Sequence, residues 1–280
     1  MTAPLRLALV QQHATDDLGD NLRRAIAAVE QAAQQGARLV AFAELGLTPF
    51  YPRCPAGDNL QALAEPIPGP TTELFSKLAA QHKLVVVLNL FERRGAHTFD
   101  ASPVIDADGR LCGVTRMVHI YEGPGFHEKG YYAPGPPTPI VHTTQVGRLG
   151  VAICYDRHFP EYMRLLRLQE AELVVVPQAG TVGEWPAGLF EAELQVASFQ
   201  NGYFAALCNR VGNEGSLTFE GKSFVTAPDG RIVAQAPAGR DHLLLVDIDV
   251  AEVATCHAAR HFLPDRRPEA YTDMCRSNES

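Results

Sequence analysis

Three observations predict an α/β fold. Short apolar runs alternate with stretches of helical period. The helical stretches open and close on capping residues, and Asp-Gly turns interrupt the alternation with hairpins. Together these point to sheets covered by helices rather than a plain doubly wound sheet. With 280 residues, 46% hydrophobic and 20% charged, the chain has ample material for a large core.

Taken in order, Leu5–Val10 reads as a strand. Residues 21–35 form a helix with Leu22, Ile26, Val29 and Ala33 on one stripe, ended by Gly36. Leu39–Ala43 is a second strand that stops at Glu44. Thr72–His82 is helical, Leu84–Leu88 is a buried strand, and a hairpin turns at Asp106-Ala107-Asp108-Gly109. The next strand is expected from Leu111 to about Ile120, followed by Pro- and Gly-rich sequence over 121–137. A strand then ends at Cys154, and Pro160–Leu168 is a helix. Leu173–Val176, Phe204–Leu207 and Lys222–Thr226 read as strands, with a helix over Ala187–Asn201 between the first two. After the turn at Ala227-Pro228-Asp229-Gly230 come strands at Ile232–Ala234 and Leu243–Val246. No linker or repeat divides the chain, so residues 1–280 read as one domain, with residues from about 251 as an irregular C-terminal arm.

The formal charge of -8 comes without a basic run, which argues against a nucleic-acid surface. No apolar run approaches membrane length, and Met1 to Pro4 leads straight into a strand pattern with no signal peptide. Six scattered cysteines without a CxxC pair predict reduced thiols and a cytoplasmic protein rather than a disulfide or zinc framework. Nothing calls for a metal or an organic cofactor.

The chemistry centres on Gly150-Val151-Ala152-Ile153-Cys154-Tyr155-Asp156-Arg157-His158-Phe159-Pro160-Glu161. An apolar strand stopping at Cys154 puts the thiol at the C-terminal edge of a sheet, where open α/β sheets place their sites. Pro160 suits the first position of a helix and Glu161 its positive end. Glu44 and Glu128 share that context, each at a strand end or in the loop beyond. A thiol needs a base or a cation to ionise at neutral pH, and a carboxylate lifted by burial can be that base. Singly, each has a structural reading: a buried thiol, an acid capping the next turn, a solvated loop acid.

In combination they resemble a known family. Ala41-Phe42-Ala43-Glu44-Leu45 resembles the first glutamate motif of the nitrilase superfamily of carbon–nitrogen hydrolases, and the Cys154 segment resembles its nucleophile motif. The likeness continues through Ser102-Pro103-Val104-Ile105-Asp106, Asn209-Arg210-Val211-Gly212 and Phe224-Val225-Thr226-Ala227-Pro228-Asp229-Gly230. The insertion Tyr121–Gly135 and Pro177-Gln178-Ala179-Gly180-Thr181-Val182-Gly183 are most similar to the β-ureidopropionase and N-carbamoyl amino acid amidohydrolase branch. The resemblance implies a four-layer α-β-β-α sandwich, assembled through its helical layer into a homodimer or larger homo-oligomer. It also implies a hydrolase of non-peptide carbon–nitrogen bonds, acting on an amide or N-carbamoyl small molecule through a cysteine thioester. Glu44 would take the thiol proton, Cys154 attack the carbonyl carbon, the Tyr155 N–H hold the oxyanion, and Glu128 orient the substrate nitrogen or the water.

One position departs from the pattern. Where the family carries a catalytic lysine in Arg-Lys-x-His, this chain reads Arg116-Met117-Val118-His119. Losing one oxyanion donor costs on the order of 10²–10³ in rate, and losing a cation raises the thiol pKa. His119, on the same strand face as residue 117, is the nearest candidate to compensate; His127 and Lys129 lie in the following loop. Arg157 is a candidate clamp for a substrate carboxylate, or a structural ion-pair partner of Asp156 or Glu161. His158 receives no role. The alternatives are a nitrilase-fold protein without hydrolase activity, and a repurposed enzyme whose cysteine still forms an adduct.

Overall fold

Successive residues of the first strand, Leu5–Gln11, enter different cores. Leu7 and Leu9 face a second sheet, while Ala8 and Val10 face helices. Burial on both faces explains why these strands read as continuous apolar runs rather than as alternation. The computed structural model describes residues 4–275.

One sheet runs in the order His242–Ile248, Leu5–Gln11, Leu39–Phe42, Val85–Val87, His97–Ile105, Leu90–Arg94, with Leu111–Arg116 also pairing on His97–Ile105. The other runs Ile232–Gln235, Phe224–Thr226, Phe204–Asn209, Leu173–Gln178, Gly147–Val151, Val141–Thr144. Their facing sides share one core, with Leu39, Ala41 and Val87 from the first and Val151, Val175 and Ala206 from the second. Helices Leu18–Gln34 and Pro70–His82 cover the first sheet through Ala25, Val29, Phe75 and Leu78. Helices Pro160–Leu168 and Leu189–Asn201 cover the second through Tyr162, Leu166 and Leu194. The result is the four-layer α-β-β-α sandwich.

The expected elements stand close to their sequence positions, and three differences have physical causes. The first helix begins at Leu18, because Asp17 caps it by accepting the N–H of Asp20. The strand Leu90–Arg94 was not expected, nor was the length of His97–Ile105, the strand leading into the Asp106–Gly109 turn; buried polar residues Glu92, Thr98 and Asp100 break their apolar pattern. The strand from Leu111 ends at Arg116 rather than near Ile120. Beyond it the Asp156 carboxylate, not a neighbouring strand, accepts the N–H groups of Val118 and His119. From residue 252 the chain forms short helical segments, Glu252–Thr255, Ala258–Phe262 and Pro268–Cys275; Val253, Cys256 and Ala258 are buried.

Phe75 is fully buried and meets Phe42 edge to face at 5.5 Å. Phe75→Ala should destabilise the protein by about 3–5 kcal/mol in chemical denaturation, with the slope against denaturant unchanged.

Candidate active site

Two neighbouring edges of the sandwich bring the candidate groups together. Cys154 opens a 3-10 turn, Cys154–His158, after the strand Gly147–Val151. Its φ of +45° is in the left-handed region, an uncommon conformation for a residue with a side chain. Leu45, which follows Glu44, does the same at φ +43°. Both turns are held from outside. The Leu45 N–H donates to Asn89 Oδ1 at 2.7 Å. Arg210, wholly buried, donates to the carbonyls of Glu44, Leu45 and Thr48 and pairs with Glu214. Asp156 accepts from the N–H groups of Ile153, Val118 and His119, so it fastens the segment after Arg116 to the cysteine turn.

The Cys154 side of this junction is short of positive charge. Glu44, Asp100 and Glu128 are all fully buried. Neither Glu44 oxygen meets an aligned hydrogen-bond donor, and Asp100 Oδ2 and Glu128 Oε1 also have none. Two facing carboxyls can bond only by sharing a proton, and charge repulsion favours that proton's retention. Burial, then the charges of Asp100 and Glu128, push the Glu44 carboxyl well above the usual range. Burial and Asp100 do the same to Glu128, partly offset by the Tyr121 N–H donated to it. Asp100 is pushed up to about 7, chiefly by burial and against the amide of Asn89 that donates to it. The Cys154 thiol, 8% exposed, is pushed up by burial and by Glu44 and Glu128, with the Arg157 charge opposing. The Tyr132 hydroxyl, also without a partner, feels the charges of Asp100, Glu44, Glu128 and Cys154.

Met117 is fully buried in the same core cluster as Cys154. His119 does not share its surroundings. It pairs with Asp156 at 2.8 Å and stacks on Phe159 at 3.6 Å, on the helical side where Val118 also packs. The expected shared face fails because strand alternation stops at Arg116. Arg116 itself is bound to Glu92 at 2.5 Å. His127 contacts Glu122 at 3.3 Å, and Lys129 is exposed, so neither supplies charge to the thiol. Arg157 pairs with Glu193 at 3.2 Å, rather than with Asp156 or Glu161. It also donates to the Cys154 carbonyl at 3.2 Å and lies 4.7 Å over the Phe190 ring. His158 pairs with the same Glu193 at 2.7 Å. Tyr155 packs against Tyr121 at 5.1 Å. Tyr121 in turn lines an open cleft of about 620 Å³ with Phe126, Thr181, Glu184 and Leu217. Among the described residues, no three or more His, Cys, Asp or Glu side chains are arranged to hold a metal ion.

Asp100 and Asn89 went unforeseen, since neither stands in a motif that marks it, and nothing within the Tyr121–Gly135 insertion singles out Tyr132. Arg210 stands inside the Asn209-Arg210-Val211-Gly212 motif, but only its contacts reveal its task.

A recessed thiol among carboxylates, at the strand ends of an α-β-β-α sandwich, defines a cysteine-type site on a nitrilase fold. The carbon–nitrogen hydrolase family matches residues 6–258, and the chain belongs to it. An N-carbamoylputrescine amidase of Solanum lycopersicum is 32% identical, over 95% of this chain and 93% of that protein. The crystal structure of a carbon–nitrogen hydrolase from Helicobacter pylori superposes with a TM-score of 0.91 at 27% identity, covering 97% of this chain and 98% of that one. A mutant amidase from Nesterenkonia sp., carrying the acetamide moiety of fluoroacetamide covalently on its active-site cysteine, gives 0.81 at 26% identity, covering 96% of each chain.

Between its usual pKa of 3.8 and about 7, Asp100 holds a proton when folded that the unfolded chain has released. Its contribution to stability therefore falls as pH rises through that window. Asp100→Asn removes this loss and keeps an acceptor for Asn89. The variant should be more stable than the parent at pH 8 by at least about 1 kcal/mol, with a flatter stability profile between about pH 4 and 7.

Proposed function

We propose that this protein hydrolyses a carbon–nitrogen bond at an amide- or carbamoyl-type carbon of a small molecule, with Cys154 as the nucleophile. The observation that carries this reading is the proximity of the thiol to two buried carboxylates whose affinity for protons is raised. A carboxylate so placed is a stronger base than one in water and can accept the thiol proton near neutral pH. Glu44 is that base. The thiolate attacks the substrate carbon, with the Tyr155 N–H as a donor to the developing charge. The amine departs with the proton from Glu44, leaving an acyl-enzyme. Glu128 then directs water onto the thioester, and the acid and Cys154 are restored. The named amidase relative and the cysteine-bound acetamide group of the Nesterenkonia enzyme support this sequence of steps.

Arg157 supports the turn through the Cys154 carbonyl; a substrate carboxylate would have to displace Glu193 to reach it. The apolar residues Leu165, Leu168, Val196 and Phe199, exposed on the outer helices, support homo-oligomer assembly through that layer. Among the described residues no helix is long and apolar enough to cross a membrane.

Met117 favours a second reading, in which the covalent step survives but the partner of the developing charge has changed. An oxyanion formed beside Glu44 and Glu128 has no neighbouring lysine, so neutral amides should turn over slowly. Met117→Lys should raise ammonia release from a neutral amide by about 10²–10³. Glu44→Gln should lower kcat/KM by about 10²–10⁴ in the parent. Cys154→Ala should abolish both turnover and any substrate-derived adduct seen by intact-mass spectrometry; an adduct that persists in it would exclude Cys154 as the nucleophile.

A further inference from the structure

The site has more buried carboxyl oxygens than its own residues can answer. Beyond the Cys154 thiol and the Asp100 carboxyl that it faces, Glu44 meets no aligned donor, and Asp100 Oδ2 and Glu128 Oε1 lie buried without one. Glu184, in the adjoining cleft, adds a charge of the same sign that reaches the thiol. The position that the family pattern gives to lysine holds Met117, an apolar side chain with no N–H to offer. Arg157 is taken by Glu193. Buried carboxylates stay ionised only when paired, and several acceptor oxygens converging next to a nucleophile define what would pair with them. It is a small, planar cation with N–H groups on several sides and an electrophilic carbon at its centre.

We propose that the electrophile this site prefers is cationic: the amidinium or guanidinium group of a small molecule, hydrolysed to the corresponding amide or urea with release of ammonia. The proposal rests on Cys154 being the nucleophile and goes further by naming the group it attacks. The charge balance explains why a lysine is dispensable. When a thiolate adds to a neutral amide, an oxyanion forms and needs a cation. When it adds to an amidinium, the C–S bond forms as the C=N π pair moves onto nitrogen, and the tetrahedral adduct is neutral. Glu44, holding the proton from the thiol, gives it to one nitrogen. That C–N bond breaks, ammonia leaves, and the remaining nitrogen restores the C=N bond as a protonated thioimidate on sulfur. Water, losing a proton to Glu44, adds to the same carbon. The C–S bond then breaks with its electron pair returning to sulfur, which is reprotonated by Glu44. The hydroxyl proton leaves with ammonia as ammonium. No oxidant or metal is needed, and the carboxylates that would repel an oxyanion hold the N–H groups instead.

The test uses the full-length protein and two matched alkylating reagents, cationic 2-chloroacetamidine and neutral 2-chloroacetamide, followed by peptide mapping. Exposed Cys54 serves as the reference thiol and buried Cys208 as an inert one. Relative to Cys54, Cys154 should be labelled at least about tenfold faster by the amidine than by the amide. Met117→Lys should reverse that order and Met117→Leu should keep it. Equal or faster labelling of Cys154 by the amide would overturn the cation preference while leaving the nucleophile in place. Labelling of Cys154 no faster than Cys208 by both reagents would remove the nucleophile, and the proposal with it. Turnover completes the test: ammonia should be released faster from butyramidine than from butyramide. An amidine that selectively labels Cys154 while butyramidine is not hydrolysed would overturn the hydrolytic step.

Discussion

The Arg210 guanidinium is the contact on which the geometry of the site depends. It stands at the end of the second sheet and donates to three carbonyls of the Glu44 turn on the first, so one buried cation locks the two edges together. Its charge is answered by Glu214, which also accepts the Phe50 N–H at 2.7 Å. Removing either partner would strand a charge in an apolar shell that includes Phe50 and Phe219, a far larger penalty than losing a surface pair. Asp156 does the corresponding work on the other side. It ties the chain after Arg116 to the cysteine turn and so fixes Met117 in the core shared with Cys154.

With the frame rigid, the electrostatics follow from what it encloses. Carboxyls out of water and close to one another have a raised affinity for protons, and burial keeps the neighbouring thiol neutral as well. The two properties are complementary. A base that holds its proton weakly could not take one from so reluctant a thiol, and a thiol of low pKa would not need it. Among the described residues the cation that acts on the thiol is Arg157, and it is paired with Glu193; on the proposed reading, the charge of whatever enters therefore decides how readily the thiolate forms.

Much of the frame was legible in the sequence because local physics sets it. The helix Pro160–Leu168 matches its sequence boundaries since proline fixes its start and period its face. Glu44 and Cys154 announced themselves as polar residues ending apolar strands. The strand Leu90–Arg94 and the start of His97–Ile105 were hidden because buried polar side chains, Glu92 paired with Arg116 and Thr98 bonded to the Tyr131 carbonyl, break their apolar pattern, and Asp100 was lost with them. His119 was misplaced by extending strand alternation past the residue where a side-chain carboxylate takes over the backbone donors. Arg210 could be seen but not understood, because the carbonyls it holds lie more than a hundred and sixty residues away along the chain.

The recessed, proton-holding state of Cys154 also bears on durability. Peroxides oxidise thiolates far faster than thiols, and they favour accessible sulfur. A sulfur kept protonated in a near-closed recess is shielded from sulfenic acid formation. For the reaction proposed above, the same enclosure that slows the first chemical step acts as a safeguard, preserving the sulfur between encounters.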